Sequence, residues 1–209
     1  QAALTAVASL SATIGRLAMD VCLYSSQNFG FIALPDALTT GSSIMPHKKN
    51  PDVSDLLRAK CNRLKALPSE VTMVLSNLPS GYHRDMQLLK EIVMPALDEI
   101  LDCLDISTFM LEQLEVKPNL LDSPSYDLLF SVERVNALVM EGVPFRDAYR
   151  QVGQEIQDGT YQAPRQLNHT HEGSIGNLQN DAIQARMEDE IARFDFAKTE
   201  AVIQELLQV

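Results

Sequence analysis

Positive charge is scarce in this chain. Against 28 Asp and Glu it sets 17 Lys and Arg, a formal net charge of -11 over 209 residues. A field of that sign repels phosphate and argues against nucleic acid as a partner. Cysteine is sparse as well: Cys22, Cys61 and Cys103 stand far apart, with no CxxC or ligand-like spacing. Such an odd, dispersed set reads as reduced thiols of a cytosolic protein, each a small core residue. No stretch alternates as a strand would, no segment repeats, and no low-complexity tract interrupts the chain. A secretory leader is not read, because the opening QAALTAVASLSATIGRLAMDVCLY lacks both Met and a basic first region. An opening without Met, inside what reads as a helix, leads to the expectation of a piece of something longer.

What is present is helical. The opening segment is apolar enough to raise a membrane span, but Arg16 and Asp20 sit inside it and Ser and Thr recur. Hydrocarbon tolerates such charges poorly, so the segment reads as a helix apolar on almost every face, buried among other helices, and no membrane partner is expected. Asn50-Pro51-Asp52 reads as a helix start: an N-cap side chain, Pro at the first position, an acid in the first turn. The helix that follows carries Val53, Leu56, Leu57, Leu64 and Leu67 as its apolar stripe, and Pro68 is expected to break or kink it. After the loop LPSGYHRD, with Asp85 as a possible cap, Leu97, Leu101, Leu104, Thr108 and Leu111 step by four and three along a long helix bent by Pro95. Shorter helices close on Gly142 and Gly159, and Ile183, Met187, Ile191 and Phe194 mark one final amphipathic helix. The fold class is all-α, a long-helix bundle over residues 1–111 followed by a small helical domain over residues 112–209.

One loop stands out. TGSSIMPHKKNPD, Thr40 to Asp52, gathers His47, Lys48 and Lys49 in an otherwise acidic chain and ends at a helix N-terminus. Free amides and the helix dipole favour an anion there, Gly41 frees the backbone, and Ser42 and Ser43 add hydroxyls. Such a loop suits a carboxylate or phosphate with a hydroxyl placed beside it; a basic surface loop with a routine cap would look similar. It is not a nucleotide-binding P-loop, since no second Gly precedes the lysine and no Ser or Thr follows it.

The run GSSIMPHKKNPD resembles the signature loop of the fumarase/aspartase superfamily, whose pattern is GSSxMPxKxNP. LPSGYHRDMQLLK resembles the second loop of the argininosuccinate lyase family within it, with Tyr82 after LPS, then Asp85-x-Gln87 and Lys90. GVPFRDAYRQVG resembles that family's small C-terminal domain. The resemblance implies a fumarate-releasing β-elimination of argininosuccinate to arginine, without a cofactor or metal. Ser42 would take the proton, Lys48 would support its alkoxide, and Asn50 with Lys48 would hold the fumarate carboxylates. Tyr82, Gln87 and Lys90 would hold the amino-acid half. It also implies a cytoplasmic homotetramer with shared active sites. The family's substrate-binding Arg-Asn and catalytic Thr-His segments are not found here, so the chain alone is expected to be inactive. Asn28 stands where many relatives carry Glu and is assigned no role. Adenylosuccinate lyase is the nearest competing activity, and a crystallin-like structural relative is the competing class. His47 and His83 are read as tuning and solvated residues, Ser43 as a turn residue. His169 and His171 lack a third ligand at sensible spacing, so no metal is read there.

Overall fold

A computed structural model describes residues 1–45, 47–167 and 169–207. Pro46 of the basic loop lies outside the described residues. Two compact units divide the chain, Gln1–Leu120 and Leu121–Val209.

In the first unit, α1 (Ala2–Tyr24) packs against α2 (Asp52–Val74) and α3 (Leu89–Gln113). Each helix buries positions spaced by threes and fours: Leu4, Val7, Ser11, Ile14, Ala18 and Val21 on α1; Ser54, Leu57, Cys61 and Leu64 on α2. That is the seam of a coiled-coil-like bundle. Small side chains let the axes approach. A Cβ added at Gly15 would stand 3.2 Å from the Cβ of Cys61, and Ser54 donates a hydrogen bond to the Met110 sulfur at 3.1 Å. Glu99, an acid buried between the helices, is paired with both Lys60 and Arg63 of α2.

Several sequence expectations are corrected here. On α3 the buried stripe is Ala96, Ile100, Cys103, Ser107 and Met110, one residue away from the expected seam; Leu97, Leu101 and Leu111 are exposed. Both stripes have the same spacing, and the chain buries the one with small residues because they permit the closer approach. On α2, Leu57 and Leu64 are buried but Leu56 faces out. Pro68 and Pro95 lie inside unbroken helices, each costing one backbone hydrogen bond, and Thr72 donates its hydroxyl to the Pro68 carbonyl at 2.8 Å. Helix α1 is long and apolar enough by length and composition to cross a membrane. It buries one face on α2 and α3 and leaves Leu10, Met19 and Leu23 exposed. Among the described residues there are four two-residue strands, too short to show alternation: β1 (Ile32–Ala33) pairs antiparallel with β4 (Glu115–Val116), and β2 (Thr40–Gly41) with β3 (Lys49–Asn50).

In the second unit, two short 3-10 turns lead into α4 (Ser131–Met140) and α5 (Phe145–Gln157). Val135, Leu138, Ala148 and Val152 form its core. Gly142, at φ +96, ends α4 in a left-handed step that a side chain rarely adopts. The expected final helix is two: α6 (Asn180–Ala192) and α7 (Phe196–Leu207), neither with a buried residue. Asp195 makes the break, its carboxylate accepting from the amide of Lys198 at 3.0 Å.

Candidate functional site

The basic loop is a hairpin tip. Thr40 pairs with Asn50 and Gly41 with Lys49, so Ser42 and Lys48 stand one step beyond the last pair, opposite each other across the ribbon. The tip is folded by Ser42 itself. Its hydroxyl oxygen accepts from the amides of Ile44 at 3.2 Å and Met45 at 3.1 Å, and the Lys48 amide returns to the Met45 carbonyl at 3.0 Å. Two N–H groups aimed at one hydroxyl oxygen favour its anionic form. Among the described residues, neither the Lys48 ammonium nor the Asn50 side-chain amide has a hydrogen-bond or ion-pair partner. Both are therefore available to a bound anion.

Lys49 differs from its neighbour. Its ammonium pairs with Asp36, in the 3-10 turn Asp36–Leu38, which ties the returning strand to the segment that enters the loop. Sequence reading missed Asp36, since no local pattern links it to Lys49. Asn50 is not the helix cap that the sequence suggested. It is spent on the ladder with Thr40, Pro51 takes the cap position at φ -77 and ψ 62, and no side chain caps α2. The acids Asp52 and Asp55 in the first turn answer the dipole instead.

The second loop brings its own residues together. Gln87 donates its side-chain amide to the Tyr82 hydroxyl. Gln87 lies in a 3-10 turn, Arg84–Leu88, and Lys90 in the first turn of α3, so the two do not share a regular helix. Asp85 sits in that 3-10 turn and makes no capping bond. Tyr82, Gln87 and Lys90 are all exposed. Among the described residues, no hydrogen bond or ion pair joins this trio to Ser42, Lys48 or Asn50.

His83 and His169 have structural partners. His83 meets the Pro79 carbonyl at 3.0 Å, and His169 meets the Glu133 carboxylate of α4 at 2.7 Å. Among the described residues, no cluster of three His, Cys, Asp or Glu is placed to hold a metal ion. Burial pushes the thiols of Cys22 and Cys61 up to about 11, which keeps them protonated and unreactive at neutral pH.

Residues 2–65 match the family model described as lyase. Over that stretch the chain carries the lyase-family pattern. It is 54% identical over 193 residues to the argininosuccinate lyase of Parabacteroides distasonis, covering 92% of this chain and 43% of that protein. It is 52% identical over 202 residues to the argininosuccinate lyase of Bacteroides fragilis, covering 97% of this chain and 45% of that protein. The chain thus spans less than half the length of the curated relatives it matches. Among solved structures it is similar to EDDS lyase in complex with formate, with a TM-score of 0.65 and 20% identity over 75% of this chain and 32% of that one. At that identity the likeness shows the fold alone: the all-α, long-helix lyase fold.

Proposed function

We propose that this lyase-family chain works as the C-terminal part of an argininosuccinate lyase, splitting argininosuccinate into arginine and fumarate. The pairing of Thr40 with Asn50 and Gly41 with Lys49, which brings the two ends of the basic loop together, supports the reading. In the reaction Ser42 takes the proton beside a carboxylate of the succinyl half. The released electron pair forms the fumarate double bond, the carbon–nitrogen bond breaks, and the departing guanidino nitrogen takes a proton from an acid outside this chain. The barrier lies in the charge that builds on the carboxylate as the proton leaves. Lys48 and Asn50 face that charge, while the amides of Ile44 and Met45 hold the Ser42 oxygen ready. Tyr82, Gln87 and Lys90 hold the amino-acid half. Residues 1–111 supply the catalytic bundle and 112–209 the small C-terminal domain. The protein is cytoplasmic, needs no cofactor, and takes a small-molecule substrate with no nucleic-acid or membrane partner.

The whole protein that contains this chain, offered argininosuccinate and adenylosuccinate in parallel, is expected to release fumarate from the first with arginine as co-product. Fumarate from adenylosuccinate alone would assign the site to that relative, and turnover of neither would leave a structural, crystallin-like role.

Assembly completes the site in this reading. Leu10 and Met19 of α1, Leu56 of α2 and Leu97 and Leu101 of α3 are exposed on the bundle, apolar side chains that a partner helix could cover. A homotetramer with shared active sites covers them. Sedimentation at micromolar protein is expected to give a single species of four chains; a monodisperse, well-folded monomer would overturn this.

A further inference from the structure

The face of the hairpin opposite Asn50 carries a second recess. Lys49 and Asn50 are successive strand residues, so their side chains leave opposite sides of the ribbon. On the Lys49 side lies a cleft of about 340 Å³, with Ile32, Leu34 and Pro51 as apolar wall and Gln27, Lys49 and Lys117 as polar wall. Ser42, Lys48 and Asn50 do not line it.

Lys117 is held in place there. Its amide donates to the Phe31 carbonyl at 2.9 Å, next to the β1–β4 pair. Its ammonium lies 3.3 Å from the point where a Cβ on Gly30 would stand, and Gly30 is left-handed at φ +56. The bare glycine therefore makes the room that the ammonium occupies. Among the described residues, that ammonium has no carboxylate partner and the Gln27 amide has no hydrogen bond. Lys49 is neutralised by Asp36, so the cleft retains one surplus positive charge in a chain of net charge -11.

The geometry points to a binding site for a small monocarboxylate with a short apolar body, separate from the hairpin tip. The carboxylate meets the Lys117 ammonium and the Gln27 amide, and the apolar body lies on Ile32, Leu34 and Pro51. A dianion fits less well, because its second charge would have to take Lys49 from Asp36. A recess of this volume is at the small end of ligand pockets, which limits the body to a few carbons. The site stands on charge and shape in the first unit and does not depend on the reaction proposed above.

The test is methyl-detected nuclear magnetic resonance on the whole protein, labelled at Ile and Leu and titrated with isobutyrate, fumarate and inorganic phosphate in turn. Isobutyrate is expected to shift Ile32 and Leu34 saturably, to leave Ile44 at the hairpin tip unmoved, and to bind more tightly than fumarate or phosphate. Lys117→Gln, at an exposed position, is expected to weaken isobutyrate about fivefold, the size of one exposed charge pair. Gly30→Ala, whose Cβ would crowd the ammonium at 3.3 Å on a left-handed backbone, is expected to weaken it as well. The proposal is overturned if isobutyrate gives no saturable shift, if Ile44 moves in place of Ile32 and Leu34, if fumarate shifts Ile32 and Leu34 at as low a concentration, or if Lys117→Gln changes nothing.

Discussion

Ser42→Ala in the whole protein is expected to lower turnover by about 10²–10⁴-fold, the range of a positioned general base, with KM for argininosuccinate little changed. A serine hydroxyl is a weak base unless its anion is held. Here the hydroxyl oxygen already accepts from two amides, and the Lys48 ammonium has no ion-pair partner among the described residues. The proton transfer itself needs the Ser42 oxygen, which alanine lacks, so the loss falls on kcat. Ser42 also folds the tip, so the variant needs a control. Substrate binding measured by calorimetry should survive within a few-fold, which separates lost chemistry from a collapsed loop. Near-normal turnover would remove Ser42 as the proton acceptor.

Lys48→Ala is expected to damage both steps. A charge-assisted contact to a substrate carboxylate contributes about 1.5–3 kcal/mol, so KM should rise by roughly ten- to a hundredfold. The same ammonium faces the charge that builds in the transition state, and losing one such donor costs about 10²–10³ in kcat. Lys49→Ala is the internal comparison. Its ammonium is spent on Asp36, and an exposed pair of that kind contributes little, so its effect should be small beside that of Lys48→Ala. Steady-state kinetics on the two variants distinguish the adjacent lysines; equal losses would contradict the separate roles the hairpin gives them.

Much of this was legible because it repeats. Threes and fours along α1, α2 and α3 mark helices at a glance, and the hairpin's contiguous motif marks the site. The register of α3 was less legible, because Leu97, Leu101 and Leu111 outweigh Ala96, Cys103 and Ser107 in hydrophobicity. Helix proximity rewards small side chains there, and that preference is invisible until the partner helix is placed. Pro68 misleads for a related reason: packing on both sides of it sustains the helix that local propensity would end. Asn50 looked like a cap and became a strand residue, since its pairing depends on Thr40 across the loop.

The recess behind the hairpin was not legible at all. Gly30, Lys49 and Lys117 come from three separate parts of the chain and meet only through the two short ribbons. Two-residue strands leave no alternation to read. Likewise α6 and α7 read as one helix because Ile183, Met187, Ile191 and Phe194 keep helical spacing up to the break, and the capping carboxylate of Asp195 is the only local sign of it.

At the centre of this account is a composite site in which the chain supplies the base, Lys48 and the substrate-holding trio while another segment supplies the acid. Fumarate absorbance from argininosuccinate, followed with the 209-residue chain alone and with the whole protein under the same conditions, tests it directly. Without the acid and the orienting residues the chain loses about 10²–10⁴-fold from acid catalysis and about a hundredfold more from misplacement, so it should give no fumarate above background while the whole protein turns over. Robust fumarate formation by the chain alone would contradict the composite site.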